Sequence, residues 1–252
     1  MSESVECLGC ELTYRSNAPC FERNPSTLIS ETPRPITVNG KKQLVIDMHA
    51  HCQFPEVMPL IKDRPELGGK DPFSHGGWGK EQEIERRLNA MNAMGVDIQV
   101  LSISVFHHHH WAEYSLAEDL CQIQNERMTE ICALYPDRFV PLSIVALQHP
   151  ELAATQLECN VKEMGHRGAM ITAALDGEEL SNERFHPFWA KAEELDVPIF
   201  IHPRHFREGA PRFKGQGFLS NIIGNPLDTT VALAHLIYEG ALDKFPKLKI
   251  VA

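Results

Sequence analysis

The order of apolar segments predicts an α/β protein of the (β/α)8 barrel type, truncated after a sixth strand. Three observations carry that expectation. Short, apolar, β-branched runs alternate with stretches of helical periodicity six times over, the order that gives a parallel sheet with right-handed crossovers. The length, 252 residues, matches the roughly 250 of one such barrel. Histidines close the first and fifth runs, at the rim where α/β barrels place their chemistry.

Composition narrows the partners. The chain is 43% hydrophobic and 23% charged, with a formal net charge of −10 and no Lys/Arg-rich run. Phosphate-rich partners would be repelled, so neither nucleic acid nor an anionic membrane is expected. No apolar run approaches the ~20 residues of a bilayer span, and the opening Met-Ser-Glu-Ser-Val-Glu has neither the basic start nor the apolar core of a secretory signal. The seven cysteines are odd in number and scattered, which suggests reduced thiols in a cytoplasm rather than a disulfide scaffold.

Taken in order, residues 1–43 read as an N-terminal extension and 44–252 as the barrel. Cys7-Leu-Gly-Cys10 has the spacing of half a zinc site, but no second pair follows, so a flexible or packing arm is expected there. The run 44–48 is apolar apart from Asp47 and reads as a buried parallel strand. Alternation then puts Asp47, His49 and His51 on one side. Two imidazoles so placed can bind one metal ion; by itself the motif equally fits two partly exposed loop histidines. Asp47, one step deeper, reads either as support for a histidine from behind or as a buried structural carboxylate.

The segment 53–79 is rich in Pro and Gly and carries Arg64, His75 and Trp78; loops of that length often bind ligands. Ile84, Leu88, Met91 and Met94 predict a helix over 80–94, stopped by Gly95. A strand over 96–105 leads into His107-His108-His109-His110. Four successive imidazoles cannot all face one site, so the run reads as a solvated loop, with one member touching substrate as the sharper alternative. Helices follow at 115–134, 150–164 and 183–195, strands at 139–147, 169–174 and 197–203, the last ending in His202. Asn225, Pro226 and Asp228 have the order of a helix cap, first turn and capping-box acid, opening a helix to Gly240, and 248–252 begins a sixth strand. Arg204, just past His202, is placed to meet an anionic substrate group; Arg64 is a second such candidate.

The sequence resembles the aminocarboxymuconate-semialdehyde decarboxylase-like branch of the amidohydrolase superfamily. The resemblance runs from Asp47 to Ala252 through D-M-H-A-H (47–51), G-V-D-I-Q-V-L-S (95–102), Y-P-D-R-F (135–139), F-I-H-P (200–203), N-P-L-D-T-T (225–230) and F-P-K-L-K-I (245–250). It implies a (β/α)8 barrel holding a divalent metal, usually zinc, on His49, His51 and His202. It further implies non-oxidative decarboxylation of a small aromatic or unsaturated carboxylic acid, often by a homodimer, without a redox cofactor. A bound cation there would lower the pKa of water toward neutrality. In this branch a histidine follows strand six within H-G-G-G, and an aspartate completes the metal shell at strand eight. The chain stops at Ala252, before either, so the catalytic base is expected beyond that residue. The chain is therefore read as a fragment, or as one needing a partner to close its sheet, with weak metal binding and little activity by itself. The alternatives are a hydrolase of the same superfamily, acting on an ester, amide or lactone, and a non-catalytic fragment.

Overall fold

The computed structural model describes residues 32–73, 81–204, 206, 209–214 and 217–252, together with a small hairpin of Val5–Glu6 and Thr13–Tyr14. The Cys7/Cys10 pair, His75 and Trp78 lie outside these residues.

The main elements alternate as the periodicities predict. They are β1 (Ile46–Cys52), α1 (Glu81–Met94), β2 (Ile98–Ile103), α2 (Tyr114–Leu134), β3 (Phe139–Pro141), α3 (Pro150–Lys162), β4 (Ala169–Thr172), α4 (His186–Glu194), β5 (Pro198–His202), α5 (Asn225–Tyr238) and β6 (Lys249–Val251). β1, β2 and β3 form one parallel three-stranded sheet, and β4, β5 and β6 another. A single parallel bridge, Ser143 to Ala169, joins the two. The strands thus follow one another in sequence order, the arrangement of consecutive βαβ units. No closed ring is formed among the described residues.

One face of the strands packs under the helices. Leu101, Ile103 and Ile144 meet Leu120 and Met128 of α2 in one cluster, while Ile171, Ile199 and Ile201 meet Trp189 and Leu236 in another. The opposite face gathers Val100, Leu142, Met170 and Phe200. Two glycines are required by geometry. Gly95 ends α1 at φ +76, a left-handed conformation that costs glycine little. A Cβ on Gly168 would lie 2.0 Å from the Pro198 carbonyl oxygen, so only glycine lets β4 start this close to β5.

The structure differs from the sequence reading in three places. β1 is not a buried strand: it pairs on one side only among the described residues, and Leu44, Ile46 and Met48 are exposed. The regular strand expected over 139–147 ends at Pro141: Leu142 N still donates to the Leu101 carbonyl and Ser143 bridges to Ala169, but from Ile144 on the backbone bonds to side chains. Asn125 bonds both the N–H and the C=O of Ile144 (3.0 and 2.9 Å), and Gln156 accepts from Ala146 N. Asn225 does not cap α5. A π-turn, Ser220–Gly224, runs straight into that helix and leaves Asn225 helical. Asp228 accepts from the backbone N–H of Arg204 at 2.8 Å, which ties α5 to the loop after β5. No helix among the described residues is long and apolar enough to cross a membrane.

Candidate metal centre

β1 and β5 deliver their histidines to one point although 151 residues separate His51 from His202. The Nε2 atoms of His49, His51 and His202 form a triangle in which every side is 3.0 Å. The rings meet edge-on, with centroids 4.8 Å apart in all three pairs. The far sides of two rings assign their protons. His202 Nδ1 donates to the Pro203 carbonyl at 2.5 Å. Ser102 Oγ lies 3.2 Å from His51 Nδ1, and a hydrogen bond to the Ser102 backbone favours a proton on that side of the His51 ring. Both rings then turn Nε2 lone pairs toward the centre of the triangle, where such pairs repel unless a cation lies among them.

Electrostatics favour the same state. Burial drives the His51 pKa down to about 3, helped by His202 and His49, and that of His202 to about 4, helped by His49; burial also lowers His49, partly offset by Asp47. All three rings are neutral at neutral pH, the form in which imidazole binds metal. Nitrogen atoms 3.0 Å apart subtend about 90° at an ion ~2.1 Å from each, which leaves further coordination positions open. The donor set fits a divalent cation, and among the described residues it is the group able to hold one.

The alternation expected along β1 is broken by a bulge between Asp47 and Ala50, where one extra residue shifts the phase of the strand. His51 stays beside Ser102, whereas the Asp47 carboxylate accepts from Gln99 Nε2 at 2.9 Å and from His49 N at 3.0 Å. Gln99 and Ser102 are three residues apart on β2 and so face opposite ways. Asp47 therefore meets the His49 backbone rather than a ring.

The triad opens into a cavity of about 790 Å³ lined also by Phe106, Phe200 and Arg204. Arg204 Nη1 donates to His110 Nδ1 at 3.0 Å. Arg64 stands apart, bonded to Glu113 Oε1 at 3.1 Å and absent from the cavity wall. The histidine run is not a solvated loop: none of its four members is more than 6% exposed. His107 stacks on Phe73 and bonds Gln53, His108 reaches the Ile103 carbonyl, and burial depresses all four pKa values. Phe200 was legible in principle, since it precedes His202 by two residues and shares its face. Gln99 was not, nor was it legible which member of the histidine run meets Arg204, because these partners lie far away in sequence.

The family of amidohydrolases matches the chain over residues 46–252. The chain belongs to that family. Within it, the chain is 27% identical over 227 residues to the 2-amino-3-carboxymuconate-6-semialdehyde decarboxylase of Dictyostelium discoideum, covering 83% of this chain and 62% of the relative. It is 31% identical over 176 residues to the gamma-resorcylate decarboxylase of Rhodococcus jostii, covering 66% and 54%. Among solved amidohydrolase structures, the 5-carboxyvanillate decarboxylase of Novosphingobium aromaticivorans, with bound manganese and 3-methoxy-4-hydroxy-5-nitrobenzoic acid, superposes with a TM-score of 0.69 at 25% identity, covering 82% of this chain and 65% of that one. The chain thus spans 62% and 54% of the lengths of the two curated relatives.

Proposed function

We propose that this chain carries the metal-binding part of a (β/α)8 amidohydrolase that decarboxylates a small aromatic or unsaturated carboxylic acid. The reading rests chiefly on the triangle of Nε2 atoms 3.0 Å apart, formed by residues that resemble the family's ligand histidines. His49, His51 and His202 would hold the divalent cation, and Asp47 would fix the His49 backbone behind it. Zinc suits three imidazoles; manganese, bound in the Novosphingobium enzyme, is the other candidate. When bound, the cation supplies a Lewis acid that holds substrate oxygens and offsets their charge.

The chain's own residues would bind and orient. Phe106 and Phe200 offer flat apolar walls, and Arg204 a planar cation for a carboxylate or phenolate. Arg64, tied to Glu113, has no part in this arrangement. In the reaction the bond from ring carbon to carboxylate breaks, carbon dioxide leaves, and a proton takes its place, with no net redox change. A homodimer and a cytoplasmic location complete the reading; light scattering tests the first.

The experiment is metal analysis and calorimetric titration with Zn2+ and Mn2+, followed by carbon dioxide release from 2,6-dihydroxybenzoate and 5-carboxyvanillate beside ester and lactone hydrolysis. Cation binding that His202→Ala abolishes, with carbon dioxide release by the protein that carries this domain, is the expected result. Hydrolysis without decarboxylation would select the hydrolase reading. Failure to bind either cation would overturn the metal centre.

A further inference from the structure

We infer that Arg87 and Gln99 are positioning residues for the cation site, acting through the backbone of His49 and His51. The inference rests on the metal-binding reading above and extends it to residues outside the cavity. Arg87 comes from α1 and is 4% exposed. Its Nη2 donates to the carbonyl of His51 at 2.7 Å, and its Nη1 to Gln99 Oε1 at 3.0 Å. Gln99 Nε2 passes the connection to Asp47 Oδ2 at 2.9 Å, and Asp47 Oδ1 accepts from His49 N at 3.0 Å. One buried guanidinium thus ends on the main chain of two members of the triad.

The place where it ends gives this chain of bonds its purpose. β1 is exposed along its first half and bulged between Asp47 and Ala50, so regular ladder bonding does not fix the His49 backbone. A bulge re-aims side chains, and a histidine ligand is only as well placed as its backbone. Asp47, Gln99 and Arg87 supply the missing restraint from the helix side of β2. Packing alone would be served by an apolar residue at 87, without the desolvation of a charge.

The test measures Zn2+ and Mn2+ affinity of the full chain by calorimetry, with the metal-free unfolding midpoint as a parallel readout. Gln99→Leu removes both links. Gln99→Glu keeps the acceptor for Arg87 but sets a carboxylate against Asp47. The exchanged pair Asp47→Asn with Gln99→Glu restores every bond, because the amide placed at position 47 can donate to the new carboxylate and still accept from His49 N. Each single variant is expected to fold and to lose about 10- to 100-fold in cation affinity, as loss of supporting partners typically costs, and the exchanged pair to recover it. A merely structural role would lower the metal-free midpoint and leave the affinity of the folded protein unchanged, which would overturn the inference. Folded single variants with wild-type affinity, or a folded exchanged pair without recovery, would overturn it too. An unmodified chain that binds neither cation would sink the metal-binding reading itself, a result distinct from these.

Discussion

His202 separates binding from folding at the scale of one side chain. Its ring touches His49, His51 and Phe200, and without a cation its Nε2 faces the like lone pair of His51. Replacing it with alanine should leave the metal-free protein folded and remove the stabilisation that a cation confers. For a ligand at one hundred times its Kd that stabilisation is about 2.7 kcal/mol, and unfolding with and without Zn2+ measures it. Arg204→Lys keeps the charge but loses the planar fork. A charge-assisted bond contributes about 1.5 kcal/mol or more, so binding of an aromatic carboxylate should weaken roughly tenfold, as titration with 2,6-dihydroxybenzoate would show. The three histidines were legible because two share a short motif and the third ends a strand. Arg87 was hidden, because nothing local distinguishes an arginine that reaches a strand across the fold from one that reaches water.

Among the elements, the turn after β2 and the loop between α3 and β4 store a dependence on pH. Burial holds His107 and His166 at about 4 and His110 at about 3, below the ordinary 6.5. The unfolded chain takes up protons on these groups as pH falls past 6.5, while the native chain does not. Stability is therefore full above about 6.5 and is lost as pH falls toward 4, and toward 3 for His110, by on the order of 2 kcal/mol per histidine at pH 5. Urea unfolding of the metal-free protein at several pH values checks this; a midpoint constant between pH 5 and 7 would contradict it. Gly168→Ala, at the start of β4, drives a methyl group into the Pro198 carbonyl and should cost about 3 kcal/mol, read from the same unfolding curves. The elements themselves were legible wherever burial imposes a period, as at Leu116, Leu120, Met128 and Ile131 of α2. The bulge in β1, the Asn125 side chain that takes up the Ile144 backbone past β3 and the π-turn before α5 were not, since each is a departure by one residue or one side chain that leaves the hydrophobic period intact.

For the whole molecule, the order of strands followed from alternation alone, while the extent of each sheet depended on long-range pairing that periodicity does not encode. The six parallel strands fall into two triplets with separate helix-side cores, joined along the backbone at Ser143 and Ala169. His49 and His51 belong to one triplet and His202 to the other. An ion held by all three would work as a clasp between two leaves of a book. With Zn2+ bound, both leaves should melt in one calorimetric transition; stripped with EDTA, the leaf built on β4, β5 and β6 should open at its own temperature. The atom that does the chemistry would then also decide whether the protein unfolds as one body or two.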